Sequence, residues 1–321
     1  MSTGTSPRID SLSVAPLVGF PGVHLTGTTI KESLYDGTVQ SGVLRAISER
    51  FRPDMLFTFM DLSVEADALG MPVRYGEMES PSVTDHLIKT REDLPKLDEL
   101  AGSAFAGRGR IPAFTETVRE TKRALPGVAL SAYITGPFTL AGLLMGASDI
   151  AMNTILDSDL VDALMERSYS AARQYAAALW EAGADVITVL DPTAMMLSPE
   201  QYWQFAGSYV ERLTGELPGR YILHICGNTS HLIEHMSRTG AMGLSLDYQV
   251  DLRDVATRVP ETLWIIGNVN PVETMAQKGP DDVRQTVLEL RRSMQDVPNF
   301  LVSTGCDLPP ETPHANIDAF M

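Results

Sequence analysis

Cysteine is nearly absent from this chain of 321 residues: Cys226 and Cys306 are the only two. That is too few for a disulfide framework and fits a reducing compartment. Lysine is also scarce, at 5 against 20 arginines, and acidic residues outnumber basic ones, 41 to 25. A net charge of −16 repels phosphate backbones and anionic lipid headgroups, which argues against nucleic-acid and membrane-surface partners. Met1 to Pro16 has neither a basic n-region nor a long apolar run, so it does not read as a secretory signal. The most apolar segment, Gly136 to Met152, is interrupted by Thr139, Ser148 and Asp149 and falls short of the ~20 residues that a spanning helix needs. No internal repeat, low-complexity tract or Ser/Gly linker divides the chain, which predicts one cytoplasmic domain over residues 1–321.

What the chain does have is an alternation of short apolar runs with longer helical ones. A hydrophobic share of 44% is enough for a sizeable core. Strand candidates are Met55–Met60, Val128–Ile134, Asp185–Leu190, Tyr221–Ile225, Met242–Leu246, Leu263–Ile266 and Phe300–Thr304, with Val14–Val18 a weaker one because of Pro16. Helical segments are Asp159–Gly183, Ser198–Leu217, Ser230–Thr239 and Pro280–Gln295. Gly183 supplies a helix stop, and Pro199 after Ser198 a helix start. Almost wholly apolar strands separated by helices imply a parallel sheet covered on both faces. Seven or eight such units favour a (β/α)8 TIM barrel over a doubly wound sheet. No Gly-x-Gly-x-x-Gly follows any strand candidate, which weakens a dinucleotide-binding reading.

Polar residues stand at the C-terminal ends of these strands, where barrel active sites lie. His224 and Cys226 are two apart on one strand and so face the same side. Cys306 ends a later strand, some 80 residues on, and barrel closure can bring it to the same mouth. Two thiolates and an imidazole suit tetrahedral zinc with its fourth position open. The bland readings are buried apolar cysteines or a disulfide. His231-Leu-Ile-Glu234-His235 is a rival pattern, that of an inverted zinc protease, and a solvated helix face explains it as well. Asp61, Asp191, Asp247 and Asp307 also end strands. Each could cap the following helix, but as a group they could instead bind substrate or orient metal ligands. Asp61, Asp191 and Asp247, with Tyr133, are the candidate substrate-pocket residues. His24, His86 and His314 read as ordinary polar residues, and Met195-Met196 as core or pocket lining.

Over nearly its whole length the sequence resembles the uroporphyrinogen decarboxylase superfamily, and within it the zinc-dependent methylcobamide:coenzyme M methyltransferases. The landmarks are Phe59–Gly70, Ile134–Ala141, Gly183–Pro192, His224–Asn228, Gly267–Pro271 and Ser303–Pro313. The specific part is His-x-Cys at 224–226 with the distal Gly-Cys-Asp at 305–307, which is similar to the methyltransferases' zinc motif. Asp61 matches the decarboxylase aspartate position. The stretch Pro16–Leu25, however, lacks the arginines with which decarboxylases of this family grip porphyrin carboxylates.

The resemblance implies a barrel with zinc on His224, Cys226 and Cys306, residues 1–50 as an N-terminal lead-in, and a short or missing final helix. It also implies methyl transfer between a methylated corrinoid and a thiol such as coenzyme M. A partner protein would carry the corrinoid, because the chain lacks the Asp-x-His-x-x-Gly cobalamin signature. The alternatives are a tetrapyrrole decarboxylase, a corrinoid-dependent demethylase using another small methyl donor, and a non-catalytic binding relative.

Overall fold

Runs of β-branched and aliphatic residues with no polar alternation are stable only where both faces of a sheet are covered, and that is how they are used here. The computed structural model describes residues 13–102 and 104–321. Its strands are β1 (Met55–Phe57), β2 (Val73–Arg74), β3 (Ser82–Val83), β4 (Ala129–Thr135), β5 (Val186–Leu190), β6 (Tyr221–Ile225), β7 (Gly243–Leu246), β8 (Trp264–Val269) and β9 (Phe300–Thr304). β2 and β3 form a separate antiparallel hairpin. The other seven form one parallel sheet in the order β1-β4-β5-β6-β7-β8-β9.

The stretch Ser13–Ala15 joins the two edges of this sheet. Ala15 N–H donates to the Val302 carbonyl at 2.9 Å, and Val302 N–H donates to the Ser13 carbonyl at 3.1 Å. On the other side, Asp54 N–H donates to the Val14 carbonyl at 3.0 Å. The Asp54 carboxylate also accepts from the N–H groups of Ser13 and Val14. Val14 thereby fills the eighth position of the barrel, although it forms only an isolated bridge to Val302. Residues 1–12 of the lead-in lie outside the described residues.

Two apolar layers result. Met55, Ala129, Val186, Ile222, Ile266 and Leu301 pack inside the barrel with Phe57 and Tyr133. The opposite faces of the strands pack on the surrounding helices in a larger core. Each fully buried aliphatic or aromatic side chain contributes about 1.5–3 kcal/mol.

The long helix Ser158–Ala182 returns the chain from the end of β4 to the start of β5 and stops at Gly183, whose φ of 103° is left-handed. The segment 198–217 is helical but carries a π-turn at Trp203–Gly207. Two helices, Pro137–Met145 and Ala147–Leu156, account for the apolar segment and meet at a bend of 102°. No single helix among the described residues is long and apolar enough to cross a membrane. The last helix is His314–Phe320.

One expectation needs correction. Ser230–Thr239 is not a helix of ten residues but a single turn, Ile233–Met236, entered through a turn at His231. At four residues it has no i,i+4 face on which to align His231 with His235.

Candidate metal centre

β6 carries His224 one residue before its end, directed into the barrel, and Cys226 follows just past the strand. Cys306 follows β9 after Gly305. A side chain at Gly305 would meet the Tyr248 backbone nitrogen at 2.6 Å, so only glycine lets the β9 loop approach the β7 loop this closely. The loops after β6 and β9 bring together residues 80 positions apart: Cys226 Sγ lies 3.4 Å from Cys306 Sγ. His224 Nε2 lies 3.1 Å from Cys226 Sγ. The three donor atoms fall within 4.8 Å of one another, and this is the only such His/Cys/Asp/Glu group among the described residues.

The surroundings suit a cation. His224 is buried, and its Nδ1 is held by Ser245 Oγ at 2.9 Å, which leaves Nε2 facing the sulfurs. A fixed second nitrogen of this kind is the usual support of a metal-binding imidazole. The hydrogen bond with Cys306 pulls the Cys226 thiol down, while the same bond together with burial pushes the Cys306 thiol well up. Ionising one sulfur therefore opposes ionising the other, and a divalent cation is what would allow both to ionise. Two soft sulfurs and one imidazole form a donor set that fits zinc.

Asp307, the residue after Cys306, is held well above the carboxylate range by burial and then by the charge of Cys306. Its Oδ2 has no hydrogen-bond partner among the described residues. Tyr133 stacks on Phe57 inside the barrel, with ring centroids 5.7 Å apart. Burial, then the charges of Asp307, Cys306 and Cys226, hold its phenol well above its ordinary range, and its hydroxyl is also without a partner. Asp247, at the end of β7, is near enough for its charge to raise Cys226. Its Oδ1 accepts from Gln249 N–H at 3.0 Å. Asn268 braces that loop by donating to the carbonyls of Asp247 and Val250. A cavity of about 280 Å³ opens beside Asp307, walled by Phe20, Met60, Asp61, Leu62, Pro81 and Leu308.

The remaining strand-end aspartates have structural partners. Asp61 lines the cavity, but both its oxygens are engaged. Oδ1 accepts from Ser63 N–H and Oγ–H, and Oδ2 accepts from the buried guanidinium of Arg110. Asp191 is buried and accepts Thr139 N–H at 2.7 Å in the first turn of Pro137–Met145. A Cβ on Gly136 would fall 2.4 Å from Asp191 Cγ, so glycine is required there. Burial raises Asp191 to about 6.

The rival His-x-x-Glu-His pattern does not converge. His231 Nε2 sits 3.1 Å from the Leu197 carbonyl, Glu234 pairs with Arg258 at 2.6 Å, and His235 lies beside Trp203. His24, His86 and His314 each bond a backbone carbonyl. Sequence reading did not single out Arg110, Ser245 or Ser63. Arg110 lies about 50 residues from Asp61, and no local pattern links the two.

Together these features define a parallel α/β barrel with a thiol–imidazole donor set at the C-terminal mouth of its strands. The uroporphyrinogen decarboxylase (URO-D) family pattern matches residues 23–321, and the chain belongs to that family. The methylcobamide:CoM methyltransferase MtbA of Methanosarcina acetivorans is 32% identical over 267 residues, covering 80% of this chain and 75% of that one. A uroporphyrinogen decarboxylase of Prochlorococcus marinus is 25% identical over 285 residues, covering 84% and 79%. Among solved structures, a methyltransferase from Methanosarcina mazei superimposes with a TM-score of 0.88 at 24% identity, covering 98% of this chain and 93% of that one. At that identity the superposition establishes the fold.

Proposed function

We propose that this protein is a methyltransferase that moves a methyl group between a methylated corrinoid and a thiol, with zinc on His224, Cys226 and Cys306. The observation that carries the reading is the convergence of these three side chains at the barrel mouth. It is supported by the methylcobamide:CoM methyltransferase MtbA at 32% identity. Zinc bound there would lower the pKa of an incoming thiol, so that it reacts as a thiolate at neutral pH.

The chain's own residues do the rest. Ser245 keeps the His224 ring oriented, with Nε2 free to bind. With zinc bound, the sulfurs of Cys226 and Cys306 would offset its 2+ charge and so keep an acceptor sulfur electron-rich. Phe20, Leu62 and Leu308 give the neighbouring cavity apolar walls. In the transfer, a sulfur–carbon bond forms as the cobalt–carbon bond breaks. The bonding electron pair stays with the corrinoid, and the thiol proton leaves to water.

We place the corrinoid on a partner protein and the reaction in the cytoplasm, where both thiols stay reduced. A tetrapyrrole decarboxylase has less support, because the Asp61 carboxylate is already taken by Arg110 and Ser63.

Elemental analysis of the wild type and of Cys306→Ser, followed by thiol methylation from methylcobalamin, tests the proposal. One zinc per chain, lost in the variant, with zinc-dependent thioether formation is the expected result. A folded wild type purified without chelator that holds no zinc would overturn it.

A further inference from the structure

We infer that the Tyr133 hydroxyl is a substrate-binding group that donates a hydrogen bond to the acceptor sulfur at the metal centre. The inference rests on the methyl-transfer reading and adds a specificity-determining contact to it. Tyr133 is 3% exposed, and no atom among the described residues accepts from its hydroxyl. A buried hydroxyl without an acceptor destabilises the folded state, and phenylalanine of the same shape would avoid the penalty. The ring itself is well served, stacked on Phe57 with an interplanar angle of 17°. Packing therefore explains the ring but leaves the oxygen unexplained.

The location of that oxygen points to its role. β4 carries Tyr133 into the barrel interior, where the charges of Asp307, Cys306 and Cys226 act on its phenol. The phenol keeps its proton beside these groups at neutral pH and, like the protonated Asp307, can donate to an anion brought among them. A thiolate brought to the donor cluster would be a further acceptor, one whose charge strengthens a hydrogen bond. The contact would favour an anionic sulfur over a neutral water molecule at that position, because a hydrogen bond to a charged acceptor is the stronger.

Tyr133→Phe separates a substrate role from a structural one, because it keeps the ring and the stack. The thermal midpoint of the metal-free variant should equal or exceed that of wild type, since only a buried unpaired hydroxyl is lost. Calorimetric titration of the zinc-loaded proteins with 2-mercaptoethanol, and separately with 2-mercaptoethanesulfonate, should show affinity about tenfold or more weaker in the variant for both probes. Methylation with methylcobalamin should show the loss mainly in KM for the thiol. Unchanged thiol affinity would overturn the inference, and so would a lowered thermal midpoint in Tyr133→Phe. A wild type that binds zinc but neither thiol would instead overturn the methyl-transfer reading itself.

Discussion

Glu65 holds Thr135 at two points: Oε1 accepts the Thr135 N–H at 2.6 Å, and Oε2 lies 2.8 Å from the Thr135 hydroxyl oxygen. That hydroxyl also lies 3.1 Å from the Leu62 carbonyl. A threonine hydroxyl has one hydrogen and a carbonyl only accepts. With Glu65 ionised the one hydrogen must be shared between two acceptors, whereas with Glu65 protonated each contact has its own. Burial, the leading cause, raises the Glu65 pKa from 4.5 to about 8, in agreement. Glu65 thus serves as a neutral clamp between the loop after β1 and the end of β4.

The sign of its pH effect follows. Between pH 4.5 and 8 the folded state holds a proton that the unfolded state has lost, so stability falls as pH rises through this window and levels off above it. Glu65→Gln keeps a donor and an acceptor but cannot ionise. Its stability relative to wild type should grow from pH 5 to pH 8 by roughly 3.5 kcal/mol and level off above pH 8. Urea unfolding of both proteins across pH 5–9 measures this, and parallel curves would show that Glu65 is ionised throughout.

The triad leads to a second pH effect, of the opposite sense. A metal on His224, Cys226 and Cys306 competes with protons at all three donors. Zinc affinity should therefore fall steeply as pH drops below neutrality, and competition with a chelator at several pH values would read it. Binding that stays flat down to pH 4 would place the metal on other residues.

The triad was legible in the sequence because cysteine is so scarce. With only two thiols in the chain, strand periodicity placed His224 and Cys226 on one side, and barrel closure supplied Cys306. The β-strand cores were also legible, since runs such as Tyr221–Ile225 and Phe300–Thr304 are apolar throughout and bounded by turn residues. The partners of the aspartates were not. Arg110 reaches Asp61 from the start of the helix Ile111–Ala124, and Thr139 reaches Asp191 from another helix, through tertiary approaches that no spacing encodes. The turn at His231 was missed for a related reason. A polar run that could form a helix forms a single turn, because His231 bonds Leu197 and Arg258 takes the Ser230 carbonyl together with Glu234.

Ser245 was equally invisible in the sequence, yet its effect should be large. Ser245→Ala removes the group that holds His224 Nδ1 and leaves the three donors in place. Zinc affinity should drop about 10–100-fold while the fold is retained. Competition with a fluorescent zinc chelator would show it, and affinity equal to wild type would mean that the His224 ring is oriented by its packing alone.

The Asp61–Arg110 pair decides whether Asp61 belongs to the fold or to the chemistry. Both side chains are almost wholly inaccessible, at 0% and 2%. Arg110 also reaches Ser63 Oγ at 2.9 Å and lies beneath the rings of Tyr75 and Tyr35, 4.9 and 5.8 Å from their centroids. Removing one partner of such a pair leaves a buried charge uncompensated, at about 3–5 kcal/mol, whereas replacing both with apolar residues of similar volume is often neutral. Asp61→Leu should therefore destabilise the protein by up to about that amount, since Asp67 Oδ2, 3.4 Å from Arg110 Nε, keeps part of the charge compensated; adding Arg110→Met should restore most of the loss. Urea unfolding of the two single variants and the double variant completes the cycle. If Asp61 contacted substrate instead, Asp61→Leu would abolish turnover with stability unchanged, and the double variant would restore nothing. A large coupling in stability, with metal content intact in the double variant, would fix Asp61 as a structural carboxylate of the barrel mouth.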